Sequence, residues 1–269
     1  MDFRFEKKIP HPALRKYVKQ YYLFEGPNPG LVNKIPSWTR PVMAIQWRDT
    51  TIITVRGNQQ RSSPISFNGI ITKPYELYTD GRSYHFFTVE FTATGLYMLF
   101  RDQISQFVDN SVDACDLIPP NKQWELSEAL GEVFDMTDKA KVVDDFLMQF
   151  LPSDLADWRI RHSHQVLSLI NTHRGDISVK EISNILNLSE RHLRRSFHEV
   201  MGVSPKKYLR ILRFEQSLNQ ILDEGYAPKL FTEQDYFDQA HFINEFKEFS
   251  GFSPKQVDSD QFQFSKFFV

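Results

Sequence analysis

Residues 197–207 read FHEVMGVSPKK and residues 246–256 read FKEFSGFSPKQ. Sliding residues 189–207 onto 238–256 matches His192 with His241, Phe197 with Phe246, Glu199 with Glu248, Gly202 with Gly251, and Ser204-Pro205-Lys206 with Ser253-Pro254-Lys255. These are seven identities in 19 positions, against roughly one expected from average composition. The chain therefore holds two copies of one small unit, too few for a solenoid, which needs three or more repeats.

Each copy opens with a helix-capping residue, Ser189 or Asp238, preceded by Leu188 or Phe237 and followed four places later by Leu193 or Phe242. This is the cap and hydrophobic staple of a helix start. In the first copy Leu193, Phe197 and Val200 recur at i, i+4, i+7 and predict a buried stripe, while Arg191, Arg194 and Arg195 occupy another face. Gly202 suits a left-handed C-terminal cap, and Ser204-Pro205 starts the next helix with a cap and a first-turn proline. Upstream, Ser178 and Glu181 predict a capping box, Ile177 a staple to Ile182, and Ile182, Ile185 and Leu186 a buried face. Only Asn187 and Leu188 separate that helix from the cap at Ser189. A short helix, a tight turn and a second helix with basic side chains outward is the helix-turn-helix arrangement, whose second helix lies in the DNA major groove.

The net charge of −2 hides a division. From Ser189 to Arg213, seven Lys/Arg (Arg191, Arg194, Arg195, Lys206, Lys207, Arg210, Arg213) stand against Glu190 and Glu199, a net of +5. From Phe214 to Asp258, Lys229, Lys247 and Lys255 stand against nine acids, a net of −6. Neutralising phosphates and releasing their counterions needs cations, so DNA affinity is expected in the first unit and only weak reading in the second.

Residues from about Ile160 to Val257, above all ISVKEISNILNLSERHLRRSFHEVMGVSPKKYLRILRFEQS and YFDQAHFINEFKEFSGFSP, resemble the AraC-type family of bacterial transcription regulators. The resemblance implies a seven-helix DNA-binding domain in which a long helix, here about Pro205 to Leu222, joins two helix-turn-helix units. The two reading helices would enter successive major grooves on one face of the duplex, ~34 Å apart, and a helix over 205–222 spans roughly 27 Å. Base-reading positions carried over from the family are Arg191, Arg194 and Arg195 in the first unit and Gln239, His241 and Asn244 in the second. Arginine matches guanine O6 and N7, and Asn or Gln matches adenine. Ser189, Ser204, Lys206 and Lys207 are assigned to phosphate. The second unit departs from the family pattern: Phe231 and Asp235 stand where a small residue and a glycine are usual, and Asn244 replaces a frequent arginine.

A length of 269 residues leaves room for one more domain upstream. The expected fold class is α+β: residues 1–151 form a mostly-β barrel or sandwich-like domain, β-rich to about Cys115 and then helical. An all-α domain with two helix-turn-helix units follows over 156–258, and 259–269 form an aromatic tail. Strands are read at Pro41–Trp47, Thr50–Val55, Ile65–Ile71 and Tyr84–Phe91, and helices near Gly95–Phe107, Lys122–Phe134 and Asp138–Phe150. A linker is placed at Leu151-Pro152-Ser153-Asp154. In the last strand His85, Phe87, Val89 and Phe91 alternate with Tyr84, Phe86, Thr88 and Glu90. The passage HFFTVEFTATGLYMLF resembles the companion domain of AraC-type regulators, which senses a ligand or mediates dimerisation.

No run approaches the ~20 apolar residues of a membrane span, and the start, MDFRFEKKIPHP, lacks an apolar signal core. A cytoplasmic protein without membrane contact is expected. The single cysteine, Cys115, allows no internal disulfide or cysteine-based zinc cluster, and it is read as a packing residue rather than a redox switch. Glu90 is read as exposed, with a ligand-orienting role inside the barrel as the alternative. His162 and His164, two apart on a helix, point apart and make no metal pair. The repeated His192 and His241 are read as packing or backbone residues. The tail SDQFQFSKFFV is read as docking on a neighbouring groove.

The function expected is a sequence-specific transcription regulator, not an enzyme, with no metal and no cofactor. Its expected partners are double-stranded DNA, RNA polymerase, a small-molecule effector and a second copy of the chain. One alternative is a DNA-binding module fused to an enzyme, such as a methyl-transfer repair protein, for which one cysteine is a poor endowment. The other is an interaction protein that has lost DNA specificity, which the acidic second unit would fit.

Overall fold

The computed structural model describes residues 4–27, 33–47, 51–55, 58–61, 63–79, 83–101, 104–153, 157–227, 236 and 238–257. Among the described residues ten strands come first: β1 (Arg4–Lys8), β2 (Val18–Pro27), β3 (Asn33–Ile35), β4 (Val42–Gln46), β5 (Thr51–Val55), β6 (Asn58–Arg61), β7 (Ile65–Asn68), β8 (Tyr75–Thr79), β9 (Ser83–Phe91) and β10 (Ser111–Asp113). Among them sits α1 (Gly95–Phe100), and after them come α2 (Pro120–Glu132), α3 (Met136–Met148), α4 (Trp158–Thr172), α5 (Val179–Ile185), α6 (Glu190–Met201), α7 (Pro205–Glu224) and α8 (Gln239–Ser250). The α+β reading stands, with the sheets at the N-terminal end and the helices at the C-terminal end.

Six strands form one antiparallel sheet in the order β1-β2-β9-β4-β7-β10, and four form a second in the order β3-β8-β5-β6. The central strand β9 pairs with β2 through Tyr22 opposite Thr88 and with β4 through Val42 opposite Glu90. Its alternation is not inside against outside, because both faces are buried. Phe87, Val89 and Phe91 join Tyr21, Leu23, Met43, Ile45 and Phe67 in the main core, which continues into the helices. Phe86 lies on the other face with Tyr22 and Phe24, against Ile35 and Leu77 of the second sheet.

Glu90, on the same strand, is completely buried, contrary to its reading as an exposed residue. Burying a carboxylate is costly unless it is paired and hydrogen-bonded. Glu90 accepts from the Tyr22 hydroxyl, from Arg40 at 3.0 Å and from Lys19 at 3.2 Å. Cys115 is also corrected: it is exposed rather than packed, and its sulfur accepts from Gln123 Nε2 at 3.2 Å.

Helix boundaries shift for local reasons. The helix expected over 95–107 stops at Phe100, because Arg101 turns left-handed at φ 53°, and a separate 3-10 turn forms over Ile104–Phe107. α2 begins earlier than expected, at Pro120, and ends at Glu132, with Val133 extended. Buried Lys139 of α3 donates to the carbonyls of Leu130 and Val133 at 2.7 and 2.6 Å, satisfying groups that the end of α2 leaves open. α4 is fastened to α1 through its cap Asp157, which accepts from Tyr97 and Arg101, and through His164, which meets Thr94 Oγ1 at 2.8 Å. Among the described residues, no helix is long and apolar enough to cross a membrane. Thr50, Asp154, Lys229, Phe231, Asp235, Phe237 and the tail 259–269 lie outside the described residues.

Candidate nucleic-acid interface

The first unit begins with reciprocal hydrogen bonds at the head of α5. Ser178 Oγ accepts from Glu181 N at 3.2 Å, and Glu181 Oε2 accepts from Ser178 N at 2.8 Å. Those hydrogen bonds from Ser178 hold the Glu181 carboxyl below its ordinary range. Ile177 and Ile182 are buried as expected, but Ile185 is 53% exposed and leaves the predicted apolar face. The reason is the turn: Asn187 goes left-handed at φ 52°, and Leu188 N donates to Ser183 O at 3.0 Å, closing the chain over one side of α5 only.

α6 follows, with Ser189 Oγ accepting from His192 N at 3.2 Å. Leu193, Phe197 and Val200 are buried, and Arg191, Arg194 and Arg195 are exposed. Arg194 reaches Glu190 at 2.7 Å and Arg195 reaches Glu199 at 3.7 Å, with side chains 57% and 66% exposed. Exposed i, i+4 pairs of this kind contribute only ~0.3–0.5 kcal/mol, so they hold the guanidinium groups outward without committing them. Among the described residues, no ion pair engages Arg191.

The repeated histidines pack on aromatic rings. His192 stacks on Trp158 of α4 at 5.2 Å between ring centres and 24° between planes, and His162 meets both rings edge-on. His241 meets Tyr236 at 5.5 Å. His162 and His164 diverge, the first toward His192 and the second toward Thr94. Burial, with His192 and Arg161 adding to it, pushes the His162 imidazole below its ordinary pKa. Trp158, which packs on α6 through His192, carries no sequence signal beyond its apolar character.

Ser204 caps α7 by accepting from Lys207 N at 3.2 Å. Lys206 is exposed, whereas the Lys207 ammonium lies 2.9 Å from Glu248 of α8. Arg210 donates to Glu245 and Glu248 at 2.6 Å each. Burial raises the Glu248 carboxyl, but hydrogen bonds from Lys207 and Arg210 outweigh it and leave the group below its ordinary range. Two of the seven cations counted from the sequence are thus turned toward the acids of the second unit.

The second unit repeats the local design of the first. Asp238 Oδ1 accepts from His241 N at 2.7 Å, and Phe242, Phe246 and Phe249 are buried, the last two against Phe214 of α7 at 5.1 and 5.5 Å. Gln239, His241 and Asn244 are exposed. Gly202 and Gly251 close their helices at φ 73° and 81°, each donating its N–H to the carbonyl four residues back. α7 joins the units as one helix of 20 residues, roughly 30 Å long at 1.5 Å per residue.

A family model described as a helix-turn-helix domain matches residues 182–260, and one described as a domain of unknown function (DUF6597) matches residues 6–113. An uncharacterized HTH-type transcriptional regulator of Staphylococcus aureus is 31% identical over 103 residues, 36% of this chain and 13% of that protein. The chain therefore spans about an eighth of the length of that relative. The uncharacterized HTH-type transcriptional regulator YidL of Escherichia coli is 22% identical over 233 residues, 81% of this chain and 77% of YidL. Among solved structures, ToxT from Vibrio cholerae aligns over 95% of this chain and 96% of its own, with a TM-score of 0.48 and 10% identity.

Proposed function

We propose that the chain is an AraC-type helix-turn-helix regulator, a reading supported by the match of residues 182–260 to a helix-turn-helix domain, and that it acts on transcription by sequence-specific binding of duplex DNA, with the first unit as the anchor. The observation that carries this reading is the outward row Arg191, Arg194 and Arg195 on α6, opposite its buried stripe and directly after the tight turn at Asn187. In this reading Arg191, Arg194 and Arg195 address base edges, while Ser189, Ser204 and Lys206 address phosphate. Lys207 joins them by exchanging Glu248 for a phosphate oxygen. Gln239, His241 and Asn244 form a weaker second reading row, since none of the three carries the fixed positive charge of the arginines on α6.

The N-terminal sheets sense a small molecule, bring two copies together, or do both, and RNA polymerase is the partner through which occupancy of DNA changes transcription. Support for sensing is the chemistry between the two sheets, where Thr88, Gln46, Ser66 and Asn68 are buried beside Glu90. An apolar filler would serve mere packing better. A second reading, an interaction protein without DNA specificity, draws on the pairing of Lys207 and Arg210 with acids of α8.

A salt-dependent gel shift on the DNA upstream of the gene and its neighbours separates these readings. The regulator shows affinity that falls steeply with salt and exceeds that for random duplex, and Arg191→Ala with Arg195→Ala abolishes the excess. Equal affinity for both duplexes favours the second reading, and unchanged binding by the double variant rejects the assignment of α6.

A further inference from the structure

Two parts of the N-terminal region reach the helix-turn-helix units, and they arrive at matching places in the two repeats. Gly202, at the end of α6, sits on the 3-10 turn Ile104–Phe107 so closely that an added methyl would lie 2.6 Å from Val108 Cγ2 and 3.1 Å from the Ile104 carbonyl oxygen. Gly251, at the end of α8, faces Pro74, whose Cγ lies 3.7 Å from the same point. Both reading helices therefore end against the N-terminal region.

The stretch between β3 and β4 adds directional contacts. Ser37 N donates to Phe249 O, in the last turn of α8, at 2.8 Å. Thr39 donates both its N–H and its hydroxyl to the carboxylate of Glu215 on α7, at 2.7 Å each. The stretch itself is held: Trp38 exchanges two backbone hydrogen bonds with Ile71 at 2.8 and 2.9 Å. Arg40 stacks over the Trp38 ring at 3.7 Å and donates to Glu90 inside the sheets at 3.0 Å.

Glu215 is only 7% exposed. An interface that merely covered α7 would be served by an apolar side chain there, since a buried ionic pairing stabilises little beside well-packed apolar groups of similar volume. Two hydrogen bonds to one carboxylate set both the distance of α7 from the sheets and its rotation about its own axis, and α7 carries a unit at each end.

We propose that the N-terminal sheets position the tandem DNA reader: Thr39 with Glu215, and Ser37 with Phe249, set the separation and rotation of α6 and α8, so that the chain measures the spacing between two half-sites. This rests on the DNA-binding reading above. Thr39 and Glu215 are positioning residues, remote from the arginine row, and they act through α7.

The test uses the full chain. Preferred duplexes are enriched from a random pool with the unaltered protein, and one or two base pairs are then inserted between the protected half-sites. With half-sites about one helical turn apart, each insertion is expected to weaken the unaltered protein on the order of tenfold, the cost of roughly one mismatched position. Glu215→Ala and Thr39→Val flatten this spacing profile while the first half-site stays protected. Glu215→Gln, which keeps an acceptor for Thr39 N, retains the profile. Thr39→Val carries the test should Glu215→Ala fail to fold. Spacing profiles identical to the unaltered protein overturn the proposal alone, as does equal flattening by Glu215→Gln. Failure of the unaltered protein to enrich any duplex overturns the DNA-binding reading and the proposal with it.

Discussion

The indole of Trp158 lies flat against the imidazole of His192, 5.2 Å between centres and 24° between planes, and so ties the first turn of α6 to the first turn of α4. Arg191 is the next residue back along that turn, so the stack holds the backbone that carries it. Trp158→Ala is expected to cost about 1 kcal/mol beyond the area it buries, in line with ordinary aromatic pairs, and to lower DNA affinity several-fold. Chemical denaturation and a gel shift on the same preparation check both effects; unchanged affinity at equal stability contradicts the orienting role.

Lys206 and the arginine row should differ in kind. Lys206→Ala is expected to weaken binding to all duplexes alike and reduce the slope of log K against log salt by about 1, whereas Arg191→Ala is expected to cost about 1–3 kcal/mol on the preferred site and relax its sequence preference. Titrations at several salt concentrations on preferred and random duplexes distinguish the two.

The glycines that end α6 and α8 are expected to respond unequally to the same change. Alanine at either position bears the left-handed backbone penalty of about 1 kcal/mol or more. Gly202→Ala adds a methyl 2.6 Å from Val108, while Gly251→Ala meets Pro74 at an ordinary 3.7 Å. Thermal unfolding is expected to show the larger loss for Gly202→Ala by at least about 1 kcal/mol.

The Ser189 cap offers a smaller and cleaner perturbation. Ser189→Ala removes the oxygen that receives His192 N and is expected to cost about 1 kcal/mol, as helix-cap losses do, with Ser189→Gly costing only a few tenths. Urea midpoints at constant slope measure both.

Glu215 gives stability a defined pH response. Burial raises its carboxyl above the ordinary range, with Glu90 adding to the shift, while Arg40 and the hydrogen bonds from Thr39 oppose it; Tyr208 also faces the group. A raised folded-state pKa means that the contribution is fully present at low pH and is lost as pH rises from the ordinary carboxylate range through the raised value. The melting temperature of the unaltered chain relative to Glu215→Gln is therefore expected to fall across that window and level off above it. A flat difference contradicts the assignment.

Much of the helical half was legible from local chemistry. Ser178, Glu181, Asn187, Ser189, Gly202 and Ser204 each satisfy or open the backbone of their own turn, so a few neighbouring letters suffice to place them. Glu90 was not legible, because its partners Tyr22 and Arg40 stand 68 and 50 residues away in the chain. Ile185 failed for the opposite reason: periodicity marks which residues share a face of α5, but only the direction of the turn at Asn187 decides where the cover stops. The partnership of Lys207 and Arg210 with Glu248 was likewise hidden, since counting charge along a segment assigns cations to solvent until a neighbouring helix claims them.

That last partnership bears on how the duplicated units have diverged. Glu245 and Glu248 hold the connecting helix by its cations while Phe246 and Phe249 hold it by its apolar side. The later copy thus braces α7, whatever it contributes to sequence choice. Changes at its outward positions leave that brace untouched, whereas loss of Glu245 or Glu248 takes from Lys207 and Arg210 the carboxylates that hold them against α8.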